Sequence, residues 1–391
     1  MSRAILIVLD GLGVGRAPDA AAFGDEGSDT LGNLARAVGG LDLPALASLG
    51  LGNLHEIEGV APVDAPAAAW GRLQEVSAGK DSTTGHWEMM GVVTAEPFPT
   101  YPDGFPAAVL DEFTRLTGWE VMGNKAASGT EIIAELGDRH LAERRLIVYT
   151  SADSVFQIAA HDAVCPLDEL YRVCEVARRM LVPPHGVSRV IARPFTGPSG
   201  AYVRTADRHD YSLAPPPELL LPHLQAAGVT VRAIGKIRDL YAGAGIDESF
   251  VSKSNAEGMA RLDALHAEAA AGPELVLLNL VDFDMLWGHR NDTEGFRKGL
   301  EEFDRALPRI METLAVDDML FITADHGNDP TTPSTDHSRE HVPLLAWGKG
   351  LKEGVDLGTR KTFSDLGATI GEVFGIKTEA GESFLGRIRK A

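Results

Sequence analysis

The sequence predicts an α/β protein with a doubly wound core sheet and an inserted α+β domain. Three observations carry that expectation. Apolar runs of strand length recur and end in polar loops, helical patterns lie between them, and two proline clusters bracket a segment with elements of its own. Continuous apolar character marks strands covered on both faces, hence a largely parallel sheet. Strand alternating with helix is the doubly wound pattern.

Taken in order, Ala4–Leu9 is an unbroken, β-branched-rich run that leads straight into Asp10-Gly11. Leu146–Tyr149 leads to Thr150-Ser151-Ala152-Asp153, Leu275–Val281 to Asp282-Phe283-Asp284, and Met319–Thr323 to Ala324-Asp325-His326-Gly327. Val342–Trp347 is a further strand candidate. Residues 257–271 are rich in Ala, Leu and Glu and are stopped by Gly272-Pro273. Residues 294–314 place Phe296, Leu300, Phe303, Leu307, Ile310 and Leu314 at helical spacing, with Pro308 expected to bend or interrupt the helix.

Pro97, Pro99, Pro102 and Pro106 form one proline cluster; Pro215, Pro216, Pro217 and Pro222 form the other. Such stretches suit stiff linkers. The segment between them has a helical pattern at Leu167–Leu181. Residues 98–213 are therefore expected to be a domain inserted into a discontinuous core of residues 1–97 and 214–391.

The 391 residues are 44 % hydrophobic and 24 % charged, ordinary for a soluble globular protein. The 36 basic and 56 acidic residues leave a formal charge of −20. A surface that acidic repels phosphate backbones and anionic lipid, which argues against nucleic-acid or membrane partners. Cys165 and Cys174 are the only cysteines and form no Cys-x-x-Cys; they are expected to be small buried hydrophobes in a reducing cytoplasm. The first apolar run is too short for a signal peptide, and no stretch approaches the ~20 residues of a membrane span. A soluble, cytoplasmic protein is expected, with no obligate protein partner inferred.

Asp10, Asp284 and Asp325 all follow strand candidates, and in an open α/β sheet ligands bind beyond the carboxyl ends of strands. Carboxylates gathered there repel each other unless a cation joins them. His289, His326 and His337 share the neighbourhood, and mixed His/Asp donors suit Mn²⁺ or Zn²⁺ better than Mg²⁺ or Ca²⁺. Six such ligands are enough for two metals ~3.5–4 Å apart, an arrangement used for phosphoryl transfer. The run Gly11-Leu12-Gly13-Val14-Gly15 is not a dinucleotide fingerprint, because the third glycine would fall on Arg16.

Residues 79–88 read Gly-Lys-Asp-Ser-Thr-Thr-Gly-His-Trp-Glu, three hydroxyls ahead of a helix start expected near His86. A helix N-terminus offers free N–H groups and partial positive charge to an anion. A hydroxyl there becomes a nucleophile if a cation lowers its pKa.

Asp10-Gly11, the Gly79–Glu88 run, Asp284-x₄-His289-Arg290, Asp325-His326-Gly327 and His337 together resemble the alkaline phosphatase superfamily, over nearly the whole chain. Within it the chain is similar to mutases that act on pentose phosphates. The resemblance implies an alkaline-phosphatase-like core with a cap and two Mn²⁺ per chain, Zn²⁺ or Co²⁺ being substitutes. Asp10, Asp325 and His326 would hold one ion; Asp284, His289 and His337 would hold the other. It puts the transferred phosphoryl group on Thr84, bridging both metals. Ser82 stands where a threonine is expected and is read as outside the transfer step. Asp282 and His341 match no ligand of the family.

The implied reaction interconverts (deoxy)ribose 1-phosphate and 5-phosphate through a phosphothreonine and a 1,5-bisphosphate, with a hexose or pentose bisphosphate as activator. Ser151 and Asp153 are the substrate contacts implied from the cap. Arg193, Arg208 and Lys236 are cationic candidates for the distal phosphate. A phosphoglycerate mutase or phosphatase of the same superfamily is the nearest rival, and a non-catalytic metal-stabilised binding protein is the alternative from another class.

Overall fold

The computed structural model describes residues 3–151, 153–268 and 272–390. It divides into two compact units, one of Met1–Glu96 with Pro215–Ala391, the other of Pro97–Ala214. Among the described residues fourteen strands run in chain order. β1 (Arg3–Leu9) and β2 (Ala69–Leu73) precede β3 (Val121–Ala126), β4 (Leu146–Thr150), β5 (Val155–His161), β6 (Arg189–Thr196), β7 (Val203–Arg204) and β8 (His209–Ser212) of the second unit. The chain then returns with β9 (Thr230–Ile234), β10 (Glu248–Phe250), β11 (Glu274–Leu280), β12 (Met319–Thr323), β13 (Val342–Trp347) and β14 (Asp356–Arg360).

The first unit is built on one eight-stranded sheet in the order β10-β9-β11-β1-β12-β13-β2-β14. Every residue of β1, β11 and β12 is buried, as continuous apolar runs require of strands covered on both faces. These three pair in parallel, with Arg3 opposite Glu274 and Ala4 opposite Met319. β13 alone is reversed, antiparallel to both β12 and β2. The α/β fold class read from the sequence is the one observed.

Two helices settle differently from expectation. The pattern over 257–271 becomes Asn255–Ala267, started by the Ser254 side chain accepting from Glu257 N; residues 269–271 lie outside those described. The pattern over 294–314 becomes one helix, Thr293–Thr313, that continues through Pro308. Phe296, Leu300 and Phe303 before the proline and Leu307 and Ile310 around it are all buried, so packing on both sides outweighs the lost backbone bond. One turn before Pro308, the Asp304 carboxylate accepts from Ala45 N at 3.1 Å and Leu46 N at 2.7 Å.

The second unit carries a sheet in the order β3-β4-β5-β6-β7, with β8 on β6. One of its apolar clusters holds Phe113, Phe156, Val173 and both cysteines, which are free and buried. The other holds Ile132, Leu136, Tyr149 and Phe195. Among the described residues, no helix is long and apolar enough to cross a membrane.

Candidate functional site

Because β11, β1 and β12 are parallel neighbours, the chain leaves all three at the same edge of the sheet. Asp10 follows β1, Asp284 lies on the single π-turn Phe283–Trp287 after β11, and Asp325 and His326 follow β12. Ligand-capable atoms of Asp10, Asp325 and His326 lie within 4.8 Å of one another, as do those of Asp284, His326 and His337. His326 is thus shared between two clusters, its Nε2 3.5 Å from Asp10 Oδ1 and 3.4 Å from Asp325 Oδ2. His337 Nε2 reaches Asp284 Oδ1 at 3.4 Å, and His289 Nε2 reaches Asp284 Oδ2 at 3.3 Å. His289 Nδ1 donates to Thr335 O at 2.6 Å, which leaves Nε2 facing Asp284.

The charges here are far from their ordinary state. Burial, reinforced by Asp325, pushes the Asp10 carboxyl well up, while Lys236 opposes it. Burial also acts on Asp325 and Asp284, but is outweighed. His326, His86 and Lys236 hold Asp325 far below the usual carboxylate range, and His337 and His289 do the same for Asp284. Burial drives the His326 imidazole down to about 3. Among the described residues, Asp10 Oδ1 and His337 Nε2 have no hydrogen-bond partner, while Asp10 Oδ2 faces Lys236 Nζ and Asp325 Oδ2 faces His86 Nδ1. Buried polar atoms are normally satisfied, and convergent Asp and His donors left this way fit divalent transition-metal ions.

The helix Ser82–Met89 starts four residues earlier than expected. Asp81 is its N-cap, its Oδ1 accepting from Thr83 N at 2.9 Å and Thr84 N at 3.2 Å. Thr84 completes the capping box: its Oγ1 accepts from Asp81 N at 3.2 Å and donates to Asp81 O at 2.9 Å. The resemblance put the transferred group on Thr84, and the two hydroxyls nearest this question stand in different surroundings. That of Thr84 is fully buried and spent on the cap, whereas Ser82 Oγ lies 3.1 Å from His326 Nε2 and accepts from Lys236 Nζ at 2.8 Å. Gly85 lets the helix approach, since a Cβ there would stand 2.1 Å from Asp325 O.

Lys236, expected among contacts to the distal phosphate, lies against Asp10, its Nζ 2.5 Å from Asp10 Oδ2. Asp10, Asp284 and Asp325 raise its pKa despite its burial. Its helix, Ile237–Leu240, is tied to Ser82's helix. Trp87 Nε1 donates to Leu240 O at 2.9 Å and Tyr241 Oη to His86 O at 2.6 Å. Sequence reasoning missed Asn328, whose Nδ2 donates to Asp284 Oδ1 at 2.7 Å; the run Asp325-His326-Gly327-Asn328 was the available signal. Asp282 accepts from Asn255 N at 2.7 Å and so holds the start of a helix.

The remaining predicted residues lie in the second unit. Ser151 follows β4, and Ala152 beside it lies outside the described residues. Asp153 pairs with Arg189 at 3.7 Å. Arg193 Nε donates to Gln157 Oε1 at 3.0 Å, and Arg208 makes two 2.7 Å bonds to Asp210. Arg193, Arg204 and Arg208 all act on the phenol of Tyr149, which is fully buried, and whose Oη has no hydrogen-bond partner among the described residues. Arg204 was missed, because a lone arginine on the two-residue strand β7 carries no pattern. A Cβ on Gly129, at the first turn of the helix Gly129–Glu143, would stand 2.8 Å from Tyr149 Oη and 3.5 Å from Arg204 Nη1. Three guanidiniums, a phenol and a helix start gather at that corner, with the Asp210 carboxylate on Arg208.

Residues 2–378 match the model of the Metalloenzyme superfamily. The chain is 52 % identical over 391 residues to a phosphopentomutase of Clostridium novyi (strain NT), covering all of both chains. It is 54 % identical to that of Dictyoglomus turgidum, over 100 % of this chain and 99 % of the other. To the phosphopentomutase of Symbiobacterium thermophilum it is 55 % identical, over 99 % of each. A solved phosphoglycerate mutase of Leishmania mexicana aligns over 99 % of this chain and 98 % of its own, at 14 % identity and a TM-score of 0.48.

Proposed function

This chain belongs to the phosphopentomutase family of the Metalloenzyme superfamily, and is accordingly a metal-dependent isomerase that transfers a phosphoryl group within its substrate. On that premise we propose that it interconverts α-D-ribose 1-phosphate and ribose 5-phosphate, and the deoxyribose pair, with Ser82 as the phosphoryl carrier. The observation that carries the reading is the Ser82 hydroxyl, placed between the Lys236 ammonium and His326 at a helix N-terminus.

Asp10, Asp325 and His326 would hold one divalent ion and Asp284, His289 and His337 the second, Mn²⁺ in our reading, with Zn²⁺ or Co²⁺ as substitutes. Such ions, when bound, neutralise phosphoryl oxygens and stabilise an alkoxide. Phospho-Ser82 gives its phosphoryl group to the free hydroxyl of the bound monophosphate: the P–Oγ bond breaks, a P–O bond to the sugar forms, and the hydroxyl proton is released. The resulting 1,5-bisphosphate returns its other phosphoryl group to Ser82. The Lys236 ammonium, hydrogen-bonded to Oγ, steadies the negative charge on that oxygen in both directions. A hexose or pentose bisphosphate supplies the first phosphate.

Residues 98–213 are assigned the cap role, with Arg193, Arg204 and Arg208 around Tyr149 offered to the substrate's second phosphate. Ser151 and Asp153 remain the proposed sugar contacts. Keeping water from phospho-Ser82 is what separates a mutase from a phosphatase. The test is ³¹P NMR of ribose 5-phosphate with Mn²⁺ and a trace of bisphosphate. Appearance of the 1-phosphate is the expected result. Release of inorganic phosphate alone, or turnover of 3-phosphoglycerate in its place, overturns it.

A further inference from the structure

We propose that His86 is a positioning residue, whose Nδ1–H ties the backbone of Ser82 to the carboxylate of Asp325 and so sets the distance between hydroxyl and metal cluster. The inference rests on the phosphoryl-transfer reading above.

His86 is wholly buried in the second turn of the helix Ser82–Met89. Its Nδ1 lies 2.8 Å from Ser82 O, one turn back, and 3.2 Å from Asp325 Oδ2. A carbonyl and a carboxylate oxygen both accept, so the ring proton sits on Nδ1. Nε2 is then an acceptor, and among the described residues it has no partner. A buried acceptor left bare costs about 1–3 kcal/mol, which an apolar side chain of similar volume would avoid. The imidazole is therefore kept for what Nδ1 does.

What Nδ1 does is bridge two otherwise separate segments. Ser82 sits at the start of its helix and Asp325 after β12, and they belong to the nucleophile and the ligand set respectively. The bridge cannot drift. On the far side Tyr241 Oη donates to His86 O at 2.6 Å, and the Tyr241 ring meets the imidazole edge-on at 6.1 Å between centroids. Gly85 removes the side chain that would hold the helix off Asp325. Groups that orient a metal ligand through hydrogen bonds typically change metal affinity or activity 10–100-fold when removed.

His86→Asn and His86→Gln separate the two ring nitrogens, because the amide nitrogen of Asn falls near Nδ1 and that of Gln near Nε2. Three quantities are measured on each and on His86→Leu: Mn²⁺ affinity against a competing chelator without substrate, kcat and KM for ribose 5-phosphate, and the Tm of the metal-free protein. The expected result for Gln and Leu is weaker Mn²⁺ binding and lower kcat, each by about 10–100-fold. KM should stay within about twofold and Asn should restore most of the loss, because only the Nδ1 bridge is being removed and replaced. Equal behaviour of Asn and Gln, or a change confined to the metal-free Tm, overturns the proposal. If wild-type protein proves inactive on pentose phosphates, the reaction reading fails while the Mn²⁺ comparison still judges the bridge.

Discussion

Ser82 Oγ and Lys236 Nζ are held 2.8 Å apart, on two helix starts cross-linked by Trp87 and Tyr241. The hydroxyl two residues further on, Thr84's, faces its own N-cap. On the reading proposed above, Ser82 and Thr84 divide chemistry from folding.

Ser82→Ala should abolish the mass gain of one phosphoryl group after incubation with a pentose bisphosphate and Mn²⁺, and mutase turnover with it. Thr84→Val should keep the phosphoenzyme and lose about 1 kcal/mol of stability with its half of the capping box. Intact-protein mass spectrometry and urea unfolding read the two effects. A phosphorylated Ser82→Ala protein would return the nucleophile to Thr84.

Lys236→Met should lower kcat by about 10²-fold, the usual cost of losing one donor to a developing oxyanion. Lys236→Arg should not rescue it, since a planar fork cannot replace a compact ammonium reaching Asp10 and Ser82 together. Steady-state kinetics with saturating Mn²⁺ decides. An unchanged kcat would confine Lys236 to pairing with Asp10.

Metal content offers a count. Wild-type protein equilibrated with Mn²⁺ should hold two ions per chain, and Asp10→Asn and His337→Ala should each lose one, because the two residues belong to different clusters. Chelation should stop turnover and lower Tm, since ions that bind only the folded chain stabilise it. Elemental analysis after gel filtration checks the stoichiometry; one ion in the wild type would collapse the two sites into one.

Acid stability should depend on His266, far from the chemistry in sequence. Burial, then the Arg3 charge, hold its imidazole at about 4. Unfolding returns it to about 6.5, so the unfolded chain binds the extra proton between those values. Stability from this group is thus complete above pH ~6.5 and declines as the pH falls toward ~4. Urea midpoints of metal-free protein should fall less steeply across that window in His266→Gln than in wild type. Parallel curves would remove His266 from the acid transition.

Much of the site was legible because strand and ligand are adjacent in sequence. A buried parallel strand reads as an unbroken apolar run, and Asp10, Asp284 and Asp325 stand just beyond three of them. The different surroundings of Ser82, Thr83 and Thr84 were not legible, because they depend on the residue at which the helix begins. With the start expected near His86 all three hydroxyls look free; with Asp81 as N-cap, the third residue of the helix folds back. His86, Lys236 and Asn328 enter through contacts spanning the fold, and local spacing carries no trace of such contacts. That the helix runs uninterrupted through Pro308 was hidden for the same reason: it is held by a buried face that propensity does not weigh.

The central strand of the first sheet has a consequence for how the chain is made. β1 ends at Leu9, yet its two neighbours begin at Glu274 and Met319. Such long sequence separations slow folding, and an apolar strand with two open edges is a target for aggregation while it waits. During synthesis the nascent chain must carry this apolar strand unpaired until Glu274–Leu280 has emerged, the interval in which a chaperone would protect it most.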